Sequence, residues 1–201
     1  MVNSVTTRKG ETIHAPSFIT KLFSHPLAGL IWLPIRVWIG WQWVMASIHK
    51  FESPAWMQTG AALKGFWMGA IAIPATGSAP IHYAWYRAFL QFLLNAQAYT
   101  WFAKLVPVGE FLVGITLILG IFTGFAALMG GFMNFNFMMA GSASVNPMFF
   151  ALSILLVLAW KIAGYFGADY LLVPWLGSLL NRQKEEKTIK SPVRSPEGAE
   201  A

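Results

Sequence analysis

Long apolar stretches separated by short polar breaks dominate this chain. From Leu105 through Trp160 the sole charged residue is Glu110. As continuous helix that stretch would be about 84 Å long, against a hydrocarbon core about 30 Å thick. It therefore holds nearly three crossings. Two breaks divide it. Thr123-Gly124 reads as a tight turn, and 141–147, small and polar and closed by Pro147, reads as a loop. The predicted spans are about 106–122, 125–140 and 148–166. An earlier span, about 30–49, contains Pro34, which suits a first helical turn, and ends at His49-Lys50-Phe51-Glu52.

Between the first and second spans the pattern changes. Residues 52–103 are rich in Gly, Pro, Ser and Trp. Phe66 to Ile73 is too short to cross, and Pro80 opens a helix expected to run through Lys104. Tyr83, Arg87, Gln91 and Asn95 recur on it every four residues, giving a polar stripe on an aromatic helix. That pattern predicts an external helix lying at the membrane interface, with a fifth span as the alternative. Before the first span, 1–21 reads as a polar arm, and Leu22 to Leu33, broken by Pro26, lies on or just enters the membrane. After the last span, 167–177 reads as a membrane-hugging turn. The tail 181–201, charged and Pro-bearing, is expected to be disordered. The fold expected is all-α: a four-helix transmembrane bundle spanning residues 22–180, with an additional external interfacial segment between spans 1 and 2.

Composition sharpens this picture. Charged residues make up 11% of the chain and apolar ones 56%, where a soluble domain has about 25% charged. The first residues are polar and lack the apolar stretch of a cleaved signal. Net charge is +6, with the basic residues concentrated beside span ends and in the tails. Anionic lipid headgroups are therefore the expected partner, and nucleic acid is not. Arg8, Lys9, Lys21 and Lys161, with the basic residues of the tail, share one side of the bundle; Lys50, Lys64, Arg87 and Lys104 share the other. This asymmetry puts both termini in the cytoplasm.

Ionisable residues within spans require a reason. Arg36, Gly40, Trp43, Ser47 and Lys50 fall on one face of the first span, a small and polar face expected to point into the bundle. For Arg36 the alternative is snorkelling to the cytoplasmic headgroups. Glu110 lies roughly 9 Å along the helix from Lys104. It is expected to face inward, with Lys50 and His49, at the end of the first span on that side, as its partners. Either this is a structural ion pair joining spans one and two, or it is a proton or ligand site at the outer mouth of the bundle. In the second reading Glu110, Lys50 and His49 form the chemical centre, and Arg36, Lys64, Arg87 and Trp43 are candidate substrate-binding residues. One of Asn134 and Asn136 is expected to hydrogen-bond to another helix. Gly109, Gly114, Gly120, Gly124, Gly130 and Gly131 allow close helix approach.

Cofactor ligands are sparse. With no cysteine, iron–sulfur clusters, zinc-thiolate sites and disulfides are excluded. His14, His25, His49 and His82 give no mid-membrane pair for haem. There is no phosphate-binding Gly-Lys-Ser/Thr loop and no His-Glu-x-x-His motif, so no metal site is expected. A quinone or a partner subunit would have to carry any electrons.

Arg36-Val-Trp-Ile-Gly40-Trp-Gln-Trp43, followed by His49-Lys50-Phe51 and Pro54-Ala-Trp56, resembles the start of the DoxX family of membrane proteins. Gly60 to Phe66, Gly109-Glu110 to Gly114, and Leu119-Gly120-Ile-Phe-Thr123-Gly124 continue the resemblance. So do Met133-Asn134-Phe-Asn136-Phe, Asn146-Pro147, Ala159-Trp160-Lys161 to Tyr165, and Gly167-Ala-Asp169 before Pro174 and Leu176-Gly177. It covers about residues 30–177. Family members often carry a basic residue just after the aspartate and another beside the final Leu-Gly; here those places hold Tyr170 and Trp175. The resemblance implies a four-helix bundle in a bacterial or archaeal plasma membrane. Its DoxD-like branch implies oxidation of thiosulfate to tetrathionate with electrons passed to membrane quinone, in a two-subunit enzyme. Three functions are open: a quinone-reactive subunit of that kind, a non-catalytic anchor or accessory subunit of a larger membrane complex, and a small anion or proton transporter.

Overall fold

A computed structural model describes residues 4–178; the tail 181–201 lies outside them. The fold is all-α apart from a two-stranded antiparallel hairpin, β1 (Ser4–Thr6) and β2 (Thr12–His14), in register Ser4 to His14. The hairpin and the start of α1 (Ser17–Ser24) lie in the stretch read as a polar arm. The hairpin turns through Gly10 and leads into α1. A short 3-10 turn (Pro26–Ala28) then redirects the chain into α2 (Gly29–Phe51), which contains Pro34 and lies at 71° to α1. Leu22 and Phe23 of α1 pack on Trp32, whose Nε1 donates to the Leu22 carbonyl at 2.9 Å.

Two short helices, α3 (Pro54–Met57) and α4 (Ala61–Ile71), and then α5 (Ala84–Asn95) occupy the segment before α6 (Tyr99–Leu119). The single helix expected from Pro80 through Lys104 is in fact two. Gln97 adopts φ 53°, in the left-handed region, and the chain restarts as α6 at Tyr99. The helix expected at 106–122 begins seven residues sooner, at Tyr99, and stops at Leu119. Gly120, at φ 69°, terminates it: the Ile121 N–H closes back onto the Thr116 carbonyl, the closure that a left-handed residue permits. α7 (Thr123–Met139) and α8 (Asn146–Leu158) follow, then the single turn α9 (Trp160–Ala163). Residues 169–178 are helical, within the stretch 167–177 that was expected to form a membrane-hugging turn.

α2 and α6 run antiparallel in the most extensive helix pairing, and α7 packs on α6 and α8. Gly40 and Gly114 set the first contact. A Cβ on either would meet the other's carbonyl oxygen at under 3 Å, so only glycine allows this approach. One core cluster joins α2, α6, α7, α8 and α9 around Ile39, Leu117, Ala127 and Leu156; a second joins α4, α5, α6 and the end of α7 around Leu63, Tyr86, Leu90 and Ala103.

Around an apolar core, several polar residues are buried while large apolar side chains stand exposed on the helix faces. Arg36, Ser47, Glu110, Thr123, Asn134, Ser153 and Asp169 are buried, whereas Trp41, Leu112, Phe125, Phe132 and Leu158 are exposed. α6 by itself is long and apolar enough to cross a membrane; α1 and α2 pass that test only as a bent pair, and α8 is apolar but shorter.

Candidate functional site

Glu110 sits one helical turn from Gly114 on the face of α6 pressed against α2, and the antiparallel packing carries Lys50, at the far end of α2, to it. The Lys50 ammonium donates to both carboxylate oxygens, at 2.9 Å to Oε1 and 2.7 Å to Oε2, and lies 3.4 Å from the Ala46 carbonyl. The pair is asymmetric in its access to solvent: the Lys50 side chain is 20% exposed and that of Glu110 2%. Trp56 of α3 lies beside the ammonium, its ring centroid 5.4 Å away.

This pair lines a cavity of about 320 Å³ between α2, α6, α7 and the start of α8. Trp43, Phe66, Phe137 and Phe149 give it aromatic walls, and Asn134 and Asn146 contribute amides. The Asn146 amide is satisfied by Ser142. The Asn134 side chain, fully buried, has no partner for its oxygen or its nitrogen among the described residues. Trp43 Nε1, beside Gly130, also lacks an acceptor among them. An orphaned buried amide costs on the order of 1–3 kcal/mol. Such a group lining a cavity already furnished with a carboxylate and an ammonium is suited to a polar ligand that both donates and accepts.

The other candidates are distributed differently. His49 is exposed and makes no hydrogen bond or ion pair with Glu110, one residue along a helix turning a side chain by about 100° away from Lys50. Lys64 is exposed on α4, 5.2 Å from the Tyr99 ring centroid. Arg87 is engaged within its own segment, donating to the Ile81 carbonyl at 2.7 Å. Neither joins the cavity. Of the two asparagines, one makes the expected contact between helices. Asn136 makes the contact across helices, accepting from the Tyr86 hydroxyl at 3.2 Å while its backbone carbonyl accepts at 3.0 Å. Burial raises the pKa of the Tyr86 phenol, which keeps it a donor. Asn134 is the one left unpartnered.

Arg36 does not snorkel and does not reach Glu110. It is 1% exposed, and roughly 21 Å of α2 separates it from Lys50. Its guanidinium donates to the Phe166 carbonyl at 3.2 Å and fills the space over Gly120 and Gly167. Around it the chain forms a clasp that the sequence reading missed. The Ala168 and Asp169 N–H groups donate to the Leu119 and Gly120 carbonyls, and the Asp169 carboxylate accepts from the N–H groups of Phe122 at 2.6 Å and Thr123 at 2.8 Å. Asp169 thus caps the N-terminus of α7 from a distant part of the chain, satisfying donors that the helix itself leaves free. The Gly-Ala-Asp block was the available signal. The guanidinium packs on glycine backbone, its Nε and Nη1 have no acceptor among the described residues, and the clasp joins α2, the α6–α7 turn and the segment after α9 at this end.

Comparison with known protein families, characterised proteins and solved structures gives no match.

Proposed function

We propose that the chain is a multi-pass membrane protein, with α2, α6, α7 and α8 extended by α9 as its four spans. The cavity at Glu110 and Lys50 is then a quinone-reactive site of the kind the DoxX resemblance implies. The exposed apolar faces support the first part. The exposed faces of these helices carry large apolar side chains while their polar residues turn inward, which in water would leave a broad unpartnered apolar surface. On this reading the hairpin, α1 and α9 lie on the cytoplasmic side, with both termini, and α3 to α5 lie at the membrane interface on the outer side.

The observation that carries the second part is the composition of the cavity: an ion pair whose acid is almost wholly buried, aromatic walls, and an unsatisfied amide. A quinone bound there would supply a two-electron, two-proton acceptor, matching the two electrons released when two thiosulfate ions join as tetrathionate. Asn134 would hold a ring oxygen by its amide N–H. Lys50 would hold the other or orient an anion near the mouth, and Glu110 would hold a proton at its carboxylate. The flat walls of Trp43 and Phe149 suit a ring and exclude water.

A second reading has its own observation. The Glu110–Lys50 pair is complete without a ligand and ties α2 to α6, as a purely structural clip in an anchor subunit would. One experiment separates them. Purified protein in nanodiscs is given a soluble quinone analogue, with binding followed by tryptophan quenching and reduction followed with thiosulfate. Glu110→Gln and Asn134→Leu are each expected to weaken binding at least tenfold. Unchanged binding in both variants, or none in the wild-type protein, would leave the pair as a clip.

A further inference from the structure

The cavity at Glu110 does not stand alone. A second cavity, of about 220 Å³, lies between α4, α5, α6 and α7. Three residues line both: Leu63 and Phe66 of α4 and Phe137 of α7. The two are therefore adjoining chambers with a common wall. On α6 the link is direct. Val106 lines the second chamber and Glu110 the first, and the i, i+4 spacing sets them one above the other on the same face.

Their chemistries differ sharply. The first holds the ion pair and the unsatisfied Asn134. The second is walled by Leu90, Leu93, Phe102 and Met133, and its polar residues, Tyr86 and Asn136, hydrogen-bond to one another. It therefore offers little to a polar ligand. Its other end lies among Phe89 and Phe132, 44% and 61% exposed, so it opens onto the apolar exterior between α5 and α7. A polar chamber beside an apolar one, with only the side chains of Leu63, Phe66 and Phe137 between them, has the form of a site for a head with one tail.

We infer that the site takes a ring-headed amphiphile with a single isoprenoid-type tail: the head lies at Glu110, Lys50 and Asn134, and the start of the tail lies in the apolar chamber and leaves between Phe89 and Phe132. This rests on the quinone-site reading above and extends it to the mode of entry, sideways from the membrane and not from the water at the outer mouth. Because lipid is as apolar as the chamber, the tail gains by packing and not by leaving water. The gain is therefore modest and sensitive to the shape of the chamber.

The test compares two quinone analogues sharing one ring, one without a tail and one with a ten-carbon tail, on protein in nanodiscs. Each affinity is corrected for partition into empty nanodiscs. The tailed analogue is expected to bind about tenfold more tightly. Val106→Trp, which fills the chamber, is expected to bring the affinity ratio to within about twofold of one. Phe132→Ala, at an exposed position and easier for the fold to accept, is expected to lower the ratio in the same direction and carries the test if the tryptophan variant does not melt cooperatively. A wild-type ratio near one, with the tailless analogue bound and weakened by Glu110→Gln, overturns the tail chamber and leaves the head site standing. A ratio unchanged in the folded variants overturns it too, as does displacement of the tailed analogue by a two-chain phospholipid. If neither analogue binds, both readings fall.

Discussion

At the scale of single residues the informative contrast lies within one ion pair. Lys50 retains partial access to solvent; Glu110 has almost none. Removing either partner orphans the other, but the consequences are unequal. An unpaired Lys50 can turn its ammonium toward water along a flexible stem, whereas an unpaired Glu110 stays walled in by α2 and α7. Breaking a buried pair costs about 3–5 kcal/mol when the remaining charge cannot be solvated. Lys50→Met is therefore expected to destabilise the protein by about 3 kcal/mol, and Glu110→Gln by clearly less, measured as loss of stability in detergent titration. Equal losses would mean that water in the adjoining cavity solvates the Glu110 carboxylate. His49 illustrates how finely this depends on position: it is adjacent in sequence to Lys50 and plays no part in the pair.

At the scale of elements, the junction between α5 and α6 is the sharpest departure from what periodicity predicts. Apolar and aromatic residues continue through it with no proline or glycine, so a single long helix is the natural expectation. The break instead centres on Gln97, held at φ 53°. Left-handed backbone costs a non-glycine residue about 1–2 kcal/mol, and here it is imposed by tertiary packing: Ala98 and Ala103 are buried against the layer formed by α4. The sign of one substitution tests this. Gln97→Gly is expected to raise stability by about 1 kcal/mol by relieving the strain, read as a shift in melting temperature. In a continuous helix the same change would lower stability by about 1 kcal/mol. The clasp of 166–169 on the α6–α7 turn belongs to the same scale. It fixes where α6 stops and α7 starts, using a carboxylate that the sequence separates widely from both.

At the scale of the whole molecule, the four-span reading predicts which positions face which side. Because the chain has no cysteine, any introduced cysteine is the sole thiol. Lys64→Cys and Gln91→Cys, both at exposed positions, are expected to react with an impermeant maleimide on intact cells. Arg8→Cys and Lys161→Cys are expected to react only after permeabilisation. Labelling of all four from outside would contradict the bundle, whereas a fifth crossing in place of the external helix would bury position 91 in the bilayer, unlabelled, and put positions 8 and 161 on opposite sides.

The sequence by itself determined the helical class, the location of the apolar helices, and the inward turn of Arg36, Trp43, Ser47 and Glu110. Periodicity and the cost of burying charge are local or nearly local constraints, and they act before any neighbour is chosen. The pairing of Glu110 with Lys50 was also within reach, because two opposite charges at one depth on adjoining helices have few other solutions. Only the tertiary structure decided that Asn134 is the unsatisfied amide and Asn136 the clip. It alone showed that Arg36 and Asp169 close the opposite end, and that an apolar chamber adjoins the ion pair. Each of these depends on rotation of helices by tens of degrees or on the meeting of residues distant in the chain. Packing sets those quantities, and no pattern of polar and apolar positions encodes them.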